Sequence, residues 1–264
     1  MGALLHHLRL AREFARVGVI RKSQFRVEFL TQVVMDTAWY LVHIATFEIL
    51  FAHTDSIAGW TRSEVRVFLG FLFLSDAFWM IWLGQCWHFG RELKDGVLDS
   101  LRLRPGAPVF VYFFQRFSLE ACINGAMALG WLLYALVDVP GALGIAGIAK
   151  LVWALALAFW ARTALSVLFT IAEFRAVNSD LSNLAWEVSM TLADRPMDVF
   201  PLRMRQLLTS LIPVAGLSTL PAALVLGRIS PFEGLLHSAW IFALGLGVFA
   251  WWRRSFRHYA SALG

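Results

Sequence analysis

The stretch His88–Pro108, HFGRELKDGVLDSLRLRPGAP, is densely charged and lies between two very apolar regions. Charges of this density do not rest in hydrocarbon, so the chain leaves any membrane here and the flanking sequence divides into spans around it. Val97, Leu98 and Leu101 fall on one face among Arg91, Glu92, Lys94, Asp95, Asp99, Arg102 and Arg104, which predicts a short amphipathic helix. Pro105-Gly106 then stops it. A solvated basic loop would need neither acids nor an apolar face. The pattern instead predicts a docking element gripped by something outside the membrane.

Working outward, 59% of the chain is hydrophobic and only 16% charged, which excludes an ordinary soluble domain. Apolar runs of about 20 residues recur, the length that crosses roughly 30 Å of hydrocarbon. The chain reads as one polytopic membrane domain over residues 1–264. Span 1 is expected at about 27–51, span 2 at 65–86, span 3 at 109–136, span 4 at 143–171 and span 6 at 234–252. Residues 179–193 form a shorter, more polar helix between them. Pro196, Pro201, Pro213 and Pro221 are too closely spaced for a straight span, so 194–231 reads as short broken helices dipping in from one side. Residues 1–24 set Leu4, Leu8, Phe14, Val17 and Ile20 among arginines, as in a helix lying in the membrane interface.

Lysines and arginines crowd before span 1, in 88–108 and in the tail Arg253-Arg254-Ser255-Phe256-Arg257. This asymmetry predicts that both termini and the 88–108 segment are cytoplasmic. Positive charge beside apolar spans also favours membrane lipid over nucleic acid as partner. No GxxxxGK[ST], HExxH or GxSxG occurs, so neither nucleotide binding nor hydrolysis is expected of this chain. Cys86 and Cys122 show no metal spacing and read as small buried hydrophobes.

A few polar residues interrupt the spans. Asp36 and His43 share a face of span 1 with Gln32 and Tyr40, and Asp76 lies in span 2. Arg116, Glu120 and Asn124 recur at four-residue spacing, which predicts an Arg116–Glu120 ion pair within span 3. Asp180, Asn183 and Glu187 line one face of the short helix. Intramembrane charges must face a cavity or a partner, so Asp36, His43, Asp76, Asn183 and Glu187 are candidates for a translocation path. Interhelical hydrogen bonding is the plainer role for the same residues.

Gly96-Val97-Leu98-Asp99-Ser100-Leu101-Arg102-Leu103-Arg104-Pro105 resembles the G-x-L-D-x-L-L-x-[KR]-P element of bacterial type-2 ABC exporter permeases of about 260 residues. Phe51–Trp60 resembles their first outer loop, and Arg195-Pro196-Met197-Asp198-Val199-Phe200-Pro201 resembles their R-x-P-x-x-[IV]-[YF]-P element. Ile212-Pro213-Val214-Ala215 and Leu220-Pro221-Ala222 echo the helices that follow. Ser100 and Arg102 depart from the pattern, which usually has apolar residues there. The resemblance implies an all-α membrane protein with an interfacial N-terminal helix, six transmembrane helices and re-entrant outer helices before the sixth. It implies a cytosolic coupling helix at about Arg91–Arg104, whose apolar residues would fill a groove on a partner ATPase. It further implies two cytosolic ATPase subunits that hold ATP and magnesium, a second permease copy or a related permease, and residence in the bacterial inner membrane. The function implied is export of a hydrophobic or amphipathic compound, lipid or drug-like. The alternative is an ion-coupled secondary transporter using the intramembrane carboxylates.

Overall fold

A computed structural model describes residues 9–18, 20, 26–102, 108–174 and 181–259. Among them no strand forms, and one isolated bridge, Ile57 with Trp60, closes a tight loop. Five helices are long and apolar enough to cross a membrane. They are α1 (Arg26–Phe51), α2 (Arg62–Trp82), α6 (Leu119–Val137), α7 (Ile145–Glu173) and α11 (Pro231–His258). Short helices fill the connections: α3 (Phe89–Lys94), α4 (Val97–Arg102), α5 (Pro108–Phe114), α8 (Leu181–Ala193), α9 (Leu202–Ser210) and α10 (Thr219–Val225). The remaining expected membrane helix, 179–193, corresponds to α8, whose 13 described residues reach only about 20 Å.

Helix α2 is the hub. Nearly every side chain from Val65 to Ala77 is buried, because α6, α7 and α10 pack around it. Lipid tails are as apolar as leucine, so such helices associate through close packing rather than through exclusion of water. Gly70 provides it: a Cβ there would lie 2.7 Å from Leu132 Cδ1 on α6. Helices α1 and α11 are peripheral, with 11% and 17% of their apolar windows buried inside the chain. Their outer faces are left for lipid or another subunit.

Span 3 is not continuous. Residues 115–118 leave the helix, and Ser118 caps α6, its Oγ accepting from Ala121 N at 3.4 Å. Ser118 N also donates to Ile81 O at 3.2 Å, which ties this break to the end of α2. Arg116 therefore lies outside the helix that carries Glu120, and the expected Arg116–Glu120 pair is replaced by Arg116–Glu92. Helix α11 starts three residues before its expected span because Ser230, Pro231 and Glu233 build a capping box.

The prolines of 194–231 sit where helices begin. Pro196 precedes a 3-10 turn, Pro201 caps α9, Pro213 precedes a second 3-10 turn (Val214–Leu217), and Pro221 is in the first turn of α10. None removes a needed helical donor. Residues Val214–Val225 are buried throughout against α2 and α7. Of the N-terminal segment, 9–18 is helical and crosses the 115–118 break, where a Cβ on Gly18 would meet Phe117 O at 2.6 Å. Leu4 and Leu8 lie outside the described residues.

Candidate functional site

The chemistry-bearing residues collect at three levels. At the first, α1, α2 and α8 line a half-open cavity of about 640 Å3. Asp36, Trp39 and Tyr40 reach it from α1, Asp76 and Trp79 from α2, and Glu187 and Met190 from α8. Trp87, from the 3-10 turn after α2, closes one end. Three of the five path candidates thus line one space. Asn183 and His43 are not part of its lining; the His43 ring rests 4.0 Å from that of Trp39.

The three carboxylates are held differently. Asp36 accepts from Gln32 Nε2 at 3.0 Å, one turn away, and from Asn124 Nδ2 on α6 at 2.6 Å. Both donors are neutral, so its charge is held but not cancelled. Asp76 accepts from Arg162 Nη2 on α7 at 2.9 Å, and that guanidinium lies 5.3 Å from the Trp79 ring centroid. With the Arg162 side chain 2% exposed and that of Asp76 12%, this is a buried ion pair at the cavity wall. The Glu187 side chain faces the cavity from an exposed position and forms no ion pair among the described residues. The wall therefore retains two uncompensated carboxylates among aromatic rings.

Sequence reasoning left Arg162 unassigned. A cation in the middle of a 29-residue apolar helix needs an acid, but helical spacing does not say which one.

At one end of the bundle the described part of the 88–108 segment, up to Arg102, has two helices, α3 and α4. Asp95-Gly96 breaks it, with Gly96 at φ +67°. Its apolar side turns inward: Phe89, Leu93 and Leu98 are fully buried with Trp79, Tyr112, Val167 and Trp252. Leu98, expected to enter a partner's groove, is here packed into the chain's own bundle. Glu92 is also buried, accepting from Tyr112 Oη at 2.7 Å and pairing with Arg116. Tyr259 Oη, just beyond α11, donates to Leu93 O at 3.2 Å. Arg91, Lys94, Asp95 and Ser100 point outward, and Val97 and Asp99 are half-buried. Leu101 and Arg102 occupy the last turn of α4, while Arg104 and Pro105 lie outside the described residues, as does Asp180.

The opposite end is clasped. Trp60 is fully buried and its Nε1 donates to Asp198 Oδ2 at 2.8 Å. Arg205 donates to the other oxygen of Asp198 at 2.6 Å, and Arg228 stacks 4.4 Å from the Trp60 ring while donating to Glu64 at 3.0 Å. Two sequence elements 138 residues apart, ending in Trp60 and centred on Asp198, thus meet directly.

No curated protein and no solved structure matches this chain. A family model does: that of the ABC-2 family transporter protein matches residues 37–262. Permeases of that family are non-catalytic membrane subunits that work with ABC ATPase partners. With five membrane-length apolar helices packed around α2 and a match over most of its length, this multi-pass chain belongs to the ABC-2 transporter family.

Proposed function

We propose that the chain is the permease of an ATP-driven exporter in the bacterial inner membrane, with the α1–α2–α8 cavity as the substrate station of its path. The observation that carries this reading is the convergence of Asp36, Asp76 and Glu187 from three helices on one ring-lined space. Carboxylates are kept in an apolar bundle at a cost, and a cavity that holds them is the usual reason. Because Arg162 already neutralises Asp76, the remaining field from Asp36 and Glu187 is negative. Ring faces add to it, since their quadrupoles attract cations. Among hydrophobic or amphipathic compounds, drug-like or lipid-like, those with positive charge fit best.

Coupling runs through α3 and α4. Two cytosolic ATPases holding ATP and magnesium would grip the outward residues Arg91, Lys94 and Asp95. Their closure would push a segment bolted to α5, to Arg116 and to Tyr259, so the bundle rocks as a body against a second permease copy or a related permease. Both chain ends lie on the cytoplasmic side in this arrangement, and the Trp60–Asp198 clasp is outside.

The test is ATP hydrolysis by the complex in lipid, with tetraphenylphosphonium and tetraphenylborate as probes of equal shape and opposite charge. The cation is expected to stimulate hydrolysis and the anion not, and Asp36→Asn with Glu187→Gln should remove the difference. Equal responses would refute the charge preference. Transport driven by a proton gradient without ATP would replace the exporter with an ion-coupled carrier.

A further inference from the structure

Two cavities lie end to end along one face of α11. The first, about 460 Å3, runs between α11 and α7 and is lined by apolar side chains including Leu165, Leu168, Leu244 and Trp251. The second, about 220 Å3, lies at the C-terminal end of the same helix, where Arg254, Ser255 and His258 stand around Phe174 and Tyr259. Trp251 is a wall of both. Leu244, Gly247, Trp251, Arg254 and His258 recur at three- and four-residue spacing, so the two cavities share one stripe of the helix.

The chemistry along that stripe has the dimensions of a lipid. Trp240 to Trp251 spans about 16 Å of helix, close to the roughly 15 Å hydrocarbon depth of one leaflet. Over that length the lining is apolar, and beyond Trp251 it turns cationic. Among the described residues no Asp or Glu lines the second cavity and Arg254 forms no ion pair. Trp251, where the lining changes character, is substantially exposed, as a ring at a membrane interface is.

We propose that this face binds a phospholipid with an anionic headgroup. One acyl chain lies in the first cavity beside Gly247, and the phosphate sits on Arg254 and His258 with Ser255 as a further donor. Trp251 marks the junction of chain and headgroup. Tyr259 ties this end of α11 to Leu93, so the headgroup lies on the same side as α3. That this is the inner leaflet rests on the orientation proposed above; the site itself does not.

The test is native mass spectrometry of the complex purified in detergent and titrated with phosphatidylglycerol or phosphatidylcholine of identical chains. Wild type is expected to retain phosphatidylglycerol in preference, and Arg254→Gln with His258→Gln to weaken it by about fivefold or more. Arg253→Gln, a cation on the opposite side of the helix, should leave the preference intact. Gly247→Phe should displace both lipids, because a side chain at Gly247 meets open space rather than a neighbour. Equal retention of the two lipids by wild type would overturn the proposal. So would an Arg253→Gln effect as large as the double variant's, which would mean diffuse attraction, or lipid retention unchanged in Gly247→Phe. Separation of the two permeases by Gly247→Phe with lipid unaffected would assign the groove to the second copy instead. Loss of the ATPase bears on docking alone, and the lipid ratio is read from the permease mass either way.

Discussion

Arg162 and Asp76 form a buried ion pair between α2 and α7, and their value is conditional on each other. Removing one partner from a buried pair leaves an uncompensated charge, which costs about 3–5 kcal/mol. Arg162→Met should therefore lower the unfolding temperature of the detergent-purified chain sharply, and Asp76→Leu added to it should recover most of the loss. An Arg162→Met variant as stable as wild type would show the pair to be dispensable. Asp36 differs, because amides rather than a cation hold it. Asp36→Asn should leave stability nearly unchanged while lowering cation-stimulated hydrolysis. At the Trp60–Asp198 clasp, Trp60→Phe removes a hydrogen bond to a carboxylate, worth about 1.5–3 kcal/mol. Thermal unfolding should register that loss without any change in ATPase copurification. The costly carboxylates were legible in the sequence, because an acid in an apolar run announces itself. Which cation answers each one was not, since helical spacing says nothing about which helices are neighbours.

Two breaks decide the shape of the elements, and they differ in how plainly the sequence signals them. The α3–α4 break needs a left-handed residue, and Gly96 at φ +67° supplies it. A β-branched residue there is strained by about 1–2 kcal/mol. Gly96→Val should thus misdirect α4, reducing ATPase copurification while the permease still inserts in the membrane. The α5–α6 break was hidden by composition, because Val109-Phe110-Val111-Tyr112-Phe113-Phe114 is as apolar as the span that follows. Its signal was Ser118 ahead of Glu120, a cap with an acid in the first turn. Read as one helix, the region gave Arg116 the wrong partner. Along α2, Gly70→Leu would force Leu132 away and separate α2 from α6, so that variant should fail to accumulate as folded protein. Normal yield and unfolding temperature would mean that the α2–α6 contact can open without loss.

The molecule as a whole is a bundle with two ends held differently. The clasp of Trp60, Asp198, Arg205 and Arg228 staples the first loop to the broken helices at one end. At the other, Glu92, Leu93 and Leu98 fasten the charged segment to the bundle and leave Arg91, Lys94 and Asp95 outward. The apolar helices and the broken, proline-rich segment 194–231 were readable from hydropathy and proline spacing. The inward turn of Leu98 was not, because an amphipathic helix shows that one face is buried without showing against what. The ATP-driven reading depends on what grips the outward charges. Its most direct test is copurification of the ATPase with Arg91→Glu, Lys94→Glu permease, both changes being on exposed side chains. The expected result is a permease that inserts, unfolds at the wild-type temperature and carries no ATPase; full ATPase recovery and undiminished hydrolysis with that variant would contradict docking at α3 and α4.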